Sequence, residues 1–299
     1  MKRMVLVTSS CGFEQLGNAR EQIGIIPLHL RFDGQEYLDD GSRMTLKTLS
    51  EMMMENPKKV AGTRPASEDE VHEIFADLYY RGYSDIFVCC LSSRFSESYN
   101  ILQRQQSIYV GRMNIYIYDT KTANLGEAAL AYEANYMLQA GAPFSQIIER
   151  LDTLRANNEF NFTLHDLSYI ISNKKLSTPA GFVANLFDIR PIMHITHDGL
   201  ISPKDKVRKF ERALKQIISD IDTISRGQER YIYLANLGNA ELAEYCSYIV
   251  MDELGLKSLP IIPVSCVSIS NHGPEGVGLG LFYGQLPKII SQLPVYKEI

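Results

Sequence analysis

Through the first half of the chain, short apolar runs rich in β-branched residues alternate with longer segments whose apolar positions recur at helical spacing, and polar turns separate the two. Met4 to Val7, Ile25 to Phe32, Ile86 to Leu91 and Asn114 to Tyr118 read as strands. Segments around Glu14 to Gln22, Thr45 to Met54, Ser67 to Arg81, Ile101 to Val110 and Gly126 to Leu138, with one more ending near Arg155, read as helices. Ser67 and Glu70 have capping-box spacing, and Gly82 and Gly141-Ala142-Pro143 are helix stops. The repeated order of strand, polar turn and helix predicts an α/β domain with a mostly parallel sheet and helices on both faces. Ligands of such sheets bind beyond the carboxyl ends of the strands, where these turns lie.

The most marked junction is Cys89-Cys90-Leu91-Ser92-Ser93-Arg94-Phe95-Ser96-Glu97-Ser98, where a buried-type strand stops at four serines before a helix. Backbone N–H groups and hydroxyls at such a place suit an anionic group, and helix capping by Ser92, Ser93 and Ser96 explains them equally well. Thr8-Ser9-Ser10-Cys11-Gly12 repeats the arrangement, and Gly62-Thr63-Arg64-Pro65-Ala66-Ser67 is a third polar turn entering a helix.

Around Asn157-Asn158 the alternation changes, which predicts a boundary between an N-terminal α/β domain, 1–157, and a C-terminal α+β domain, 158–299. Phe160 to Leu164 reads as a strand, Leu167 to Ile171 and Pro179 to Phe187 as short helices, and His197-Asp198-Gly199 as the turn of a hairpin. Lys206 to Ile224 carries Val207, Phe210, Leu214, Ile217, Ile218 and Ile221 at helical spacing. Tyr231 to Ala235, helical Glu241 to Glu253 and strand-like Ile261 to Ile269 follow, then a polar loop, Asn271 to Gly276. Val277, Leu279 and Leu281 alternate with glycines, the pattern of a strand closely approached by another backbone or by a ligand.

Composition narrows the function more than it adds to it. A net charge of −5 over 299 residues without a Lys/Arg block argues against nucleic acid and membrane-surface partners. No apolar run reaches the ~20 residues of a membrane span. Five cysteines without metal-type spacing argue against a disulfide framework and for a reducing cytoplasm; Cys11, in a polar turn, is the one to test for reactivity. His194 and His197, three apart, would face opposite ways on a strand, so no metal is expected. There is no phosphate-binding loop, Gly278-Leu279-Gly280 lacks the third glycine of a dinucleotide fingerprint, and Ser93 with His272 lacks a nucleophile elbow, so no catalytic residue is assigned.

Taken together, the turns resemble the DegV family over nearly the whole chain. The matching pieces are the Ser9-Ser10 turn, Gly62 to Ala66, Ser92 to Ser98, Asp119-Thr120-Lys121, Arg190-Pro191-Ile192 with Gly199, Lys206-Val207-Arg208, and Asn271 to Glu275. The resemblance implies a two-domain α/β fold, without cofactor, that buries the tail of one long-chain fatty acid. It implies that a separate ATP-dependent fatty acid kinase subunit phosphorylates the presented carboxylate for phospholipid synthesis. Carried over position by position, it places the carboxylate at Ser92, Ser93, Ser96, Gly62, Thr63, Asn271 and His272. Arg64, Arg94, Glu97, Lys175 and Arg208 are further head-group or rim positions, with Glu97 expected to point outward. Arg64, Glu97 and the Asn271-His272 pair depart from the usual pattern, which leaves open an enzyme or sensor for a different small acid or phosphoester.

Overall fold

The computed structural model describes residues 2–59, 61–176 and 189–293. The expected short helix at Pro179 to Phe187 lies outside the described residues. In chain order the first half forms β1 (Lys2–Thr8), β2 (Ile23–Ile26), β3 (His29–Phe32), β4 (Gln35–Leu38), α1 (Leu46–Glu55), β5 (Ala61–Arg64) and α2 (Glu68–Tyr80). It continues with β6 (Tyr83–Cys90), α3 (Ser98–Ile108), β7 (Asn114–Asp119), α4 (Asn124–Gln139) and α5 (Phe144–Ala156). β2, β1, β6 and β7 lie side by side in that order, and every pair is parallel. The apolar run from Ile86 to Cys90 is buried throughout, as a central strand covered on both faces requires. Cys11 is fully buried too, which removes the exposure expected of it from its polar neighbours.

Three local readings change here. Residues 23–32 are two strands, because Pro27 lacks the N–H that a continuous ladder needs. Beyond that break, β3 leaves the parallel sheet and pairs with β4 and β5 in a small antiparallel one. The Gly62-Thr63-Arg64 turn is therefore strand, with Thr63 opposite Leu30. The helix expected near Glu14 to Gln22 is a 3-10 stretch, Phe13–Glu21, broken at Gly17 (φ 51°, ψ −129°).

The second half forms β8 (Asn158–Leu164), α6 (Ser168–Ser172), β9 (Arg190–Ile195), β10 (Ile201–Val207), α7 (Phe210–Ser225) and β11 (Arg230–Asn236). α8 (Ala240–Leu254), β12 (Ile261–Pro263), α9 (Cys266–His272) and β13 (Gly276–Tyr283) complete it. The sheet runs β10-β9-β8-β13-β11-β12 and is antiparallel except for β11 with β12. β10 keeps pairing with β9 as far as Val207, so α7 starts later than the expected Lys206. Leu214, Ile217, Ile218 and Ile221 of α7 pack on Ile232, Leu279 and Leu281 of the sheet. The opposite face carries Phe162, Tyr231, Tyr233 and Phe282, which join the core of the first half.

The expected strand Ile261 to Ile269 is strand only as far as Pro263 and turns helical from Cys266. Pro263 ends β12, the Ser265 hydroxyl accepts from Ser268 N–H, and α9 follows. β13 is a strand as expected, yet what crosses its glycines is aromatic. A Cβ at Gly278 would stand 2.9 Å from the Phe160 ring, and one at Gly280 1.9 Å from that of Tyr233. After β13 the chain returns to the first half, where Lys288 N–H donates to buried Glu133 and Arg150 bonds both Glu133 and the Leu286 carbonyl. Among the described residues no helix is long and apolar enough to cross a membrane.

Candidate functional site

The antiparallel β5 edge, α9, the Ser92–Ser98 turn, the start of α4 and the aromatic face of β8 line a cavity of about 70 Å³, open in part to solvent. Leu28, Leu91, Phe160, Phe162, Ile195 and Ile201 supply apolar wall. Thr63, Ser96, Lys175, Asn271 and His272 bring polar atoms to it. The strands and helices that place them are short, so each is held by specific bonds. Asn173 donates to the carbonyls of Ala61, Tyr169 and Ser270 and so ties β5 to α6 and α9. A Cβ at Gly62 would come within 2.9 Å of the Asn173 Oδ1, which accounts for glycine at that position.

Asn271 Nδ2 donates to Thr63 Oγ1 at 3.1 Å and to the Val267 carbonyl at 2.7 Å. Thr63 therefore keeps its own proton for another acceptor, while Asn271 Oδ1 is buried without a partner among the described residues. His272 donates from Nδ1 to the Gly273 carbonyl at 2.7 Å, which leaves Nε2 as an acceptor. Burial pushes its pKa down to about 4, so the ring is neutral at pH 7. Lys175 Nζ donates to the Phe95 carbonyl and pairs with no carboxylate among the described residues; burial lowers its pKa. Ser96 bonds Ser98 across the first turn of α3.

The other expected positions lie away from this wall. Ser92 is fully buried, and its hydroxyl donates to the Gly199 carbonyl at 2.8 Å. Ser93 donates to Asp119 Oδ2 at 2.6 Å, and its N–H to Oδ1 at 3.1 Å. Both hydroxyls thus hold parts of this chain, and neither lines the cavity. Arg64 joins Glu36 and Glu70, and its guanidinium holds the Glu36 carboxyl down at about 2. Burial opposes the same shift at Glu70, but the Ser67 N–H and hydroxyl, with Arg64, hold it at about 2. Glu97 is exposed and accepts from Asn100, so it points outward as expected. Arg94 is exposed 3.7 Å from Asp198, and Arg208 is exposed between β10 and α7. His197 sits in the hairpin turn, 3.8 Å from Glu159, rather than on the strand with His194.

Sequence reasoning passed over Ser10, Asn124 and Ser268, which also line the cavity. Ser10 was in view only as part of a turn. Asn124 begins α4 with φ 55°, and Ser268 lay hidden in the apparent strand alternation of Val267 to Ser270.

This α/β architecture of three sheets, with a cavity of mixed apolar and polar lining, places the chain among known proteins. A family model described as "Uncharacterised protein, DegV family" matches residues 2–284, and the chain belongs to the DegV family. It is 28% identical over 298 residues to a protein of Thermotoga maritima named as a fatty acid-binding protein, covering 94% of this chain and 98% of that one. Among solved structures, a fatty acid binding DegV family protein of Streptococcus agalactiae is similar with TM-score 0.84 and 21% identity, covering 95% of this chain and 99% of the other. A stearic acid-binding protein of Eubacterium ventriosum is similar with TM-score 0.80 and 22% identity, covering 97% and 100%.

Proposed function

We propose that this chain binds one long-chain fatty acid, burying the tail among the Phe160, Phe162, Ile195 and Ile201 side chains with the carboxylate toward Lys175 and Thr63. The observation that carries this reading is the cavity itself: apolar walls with a cation at one part of them that pairs with no carboxylate among the described residues. Thr63 adds a hydroxyl whose proton is available, and neutral His272 adds no competing charge. The relatives in Thermotoga maritima, Streptococcus agalactiae and Eubacterium ventriosum, named for binding fatty acids, support the same ligand class. A tail of ~15 methylenes at ~0.8 kcal/mol each supplies up to roughly 12 kcal/mol before entropy losses. A charged head-group hydrogen bond supplies about 1.5 to 3 kcal/mol, so the tail sets affinity and the head sets orientation.

On this reading the chain is a carrier rather than a catalyst. It works in the cytoplasm and presents the carboxylate to a separate ATP-dependent kinase subunit for acyl-phosphate formation, the role that its family resemblance implies. The alternative, an enzyme or sensor for a different small acid or phosphoester, rests on Arg64, Glu97 and the Asn271-His272 pair; Arg64 and Glu97 do not line the cavity, whereas Asn271 and His272 do. Native mass spectrometry of the purified protein is expected to show one retained acyl chain. Lys175→Met is expected to weaken binding of the acid about tenfold while leaving a long-chain alcohol unaffected. Protein that neither retains nor takes up an acyl chain overturns the reading.

A further inference from the structure

A parallel sheet is ordinarily covered on both faces. Here α2 packs on β6 and α3 on β7, and the two helices pack on each other, so they share one face. β1 and β2 pack against α4 and the 3-10 stretch on the other face. Among the described residues no helix covers the α2 side of β1 and β2, and a groove of about 480 Å³ takes that place. Met4, Leu6, Pro27, Leu38, Ile74 and Leu78 give it an apolar lining. Gly24, level with Leu6 in the sheet, adds no side chain to fill it, and a Cβ there would stand 2.5 Å from Leu6 Cδ2.

The charges of the groove lie on one side of it. β1, β2 and β4 contribute only uncharged residues, whereas α2 brings Glu70, Glu73 and Asp77, spaced i, i+3 and i+7 along one stripe, with Arg81 just beyond its end. Asp77 holds Arg81 at 2.9 Å, and Glu70 is engaged by Arg64 and His29 of the small sheet. Glu73 is exposed and pairs with no cation among the described residues. We propose that this groove docks an amphipathic helix of a partner protein, its apolar side on Met4, Leu6 and Leu38 and a flank of Lys or Arg along Glu73 and Asp77. A helix suits the place because helices stacked on sheets are how α/β layers close. Because one wall alone is charged, the occupant carries its cations on one flank. From Glu70 to Asp77 the stripe runs ~10 Å, so about two turns of helix meet it. Anionic lipid headgroups are repelled by the same stripe, which favours a protein over a membrane surface. The groove shares no lining residue with the fatty-acid cavity, so partner and ligand can be held together.

Fluorescence anisotropy with the full chain tests this, using two labelled Leu/Ala helical peptides of about 18 residues that differ only in carrying Lys or Glu along one flank. The Lys peptide is expected to bind about tenfold or more tightly than the Glu peptide. Glu73→Lys, at an exposed position, is expected to weaken the Lys peptide about tenfold and to strengthen the Glu peptide at least about threefold. Leu38→Ser removes part of the apolar lining and is expected to weaken both peptides at least about threefold. Melting curves confirm that both variants fold. Binding of neither peptide overturns the inference. Binding of the Lys peptide that ignores both substitutions marks general adsorption to a chain of net charge −5 and overturns it equally. A dimer in sedimentation that Leu38→Ser dissolves assigns the groove to a second copy of this chain and overturns the assignment to a partner helix.

Discussion

At the scale of single residues, burial separates two titrating groups that share the neighbourhood of the cavity. Glu127 carries a carboxyl that burial pushes up to about 8 against the pull of the Thr8 and Ser10 hydroxyls. Cys89 and Cys90, on the strand beside it, are fully buried and raised further by the same carboxyl, so they stay neutral and do not titrate with it. The folded chain therefore holds a proton that the unfolded chain has released once the pH passes about 4.5. Stability from this group is complete below that pH and falls as pH rises toward 8, with no further change above it. Glu127→Gln keeps the shape without the charge. It is expected to flatten the loss of stability between pH 5 and 8 and to melt at a higher temperature than the parent at pH 9. A parallel pair of melting curves across that range checks it. His272 works in the opposite sense, since a pKa lowered to about 4 makes its contribution disappear as pH falls from 6.5 toward 4.

At the scale of elements, glycines and short helices decide where the aromatic rings on this face of the sheet stand. Gly280 lies under the Tyr233 ring, which is buried, so an added methyl must displace ring atoms from a packed face. Gly280→Ala is expected to cost about 1 to 3 kcal/mol in urea unfolding. The parallel sheet, most helices and the β9–β10 hairpin were legible from periodicity, because each repeats its pattern over enough residues to be distinctive. α9 was not. Its sequence, Cys266-Val267-Ser268-Ile269-Ser270, alternates with period two although it is helical, and the deciding signal is the single cap at Ser265. The small β4-β3-β5 sheet was equally hidden, since it depends on pairing between Leu30 and Thr63, far apart in the chain. Of the expected site, Thr63, Ser96, Lys175, Asn271 and His272 converge on the cavity, while the serines at 92 and 93 do not. A hydroxyl at the end of a strand looks the same in sequence whether its partner is a ligand or a distant carbonyl.

At the scale of the molecule, the segment after β13 fastens the second half onto the first. Glu133 is 2% exposed and depends on Arg150 at 2.8 Å and on the Lys288 N–H. Arg150→Met leaves that carboxylate buried and unpaired, and is expected to cost about 3 to 5 kcal/mol in urea unfolding. Arg81→Met, which removes an exposed pair with Asp77, is expected to leave the midpoint unchanged. The second fastening is at Ser92, where the hairpin tip seats its Gly199 carbonyl on a hydroxyl expected to greet a ligand. A Cβ at Gly199 would lie 2.3 Å from that hydroxyl and 3.0 Å from the Lys121 backbone, and its φ of 86° suits glycine. The oxygen at that seat is thus a permanent internal guest, as much a key in a lock as any lipid would be. Whatever reshapes the tip of the hairpin retunes the alignment of Ile195 and Ile201 with the cavity, so ligand preference can drift through changes at positions that no ligand touches.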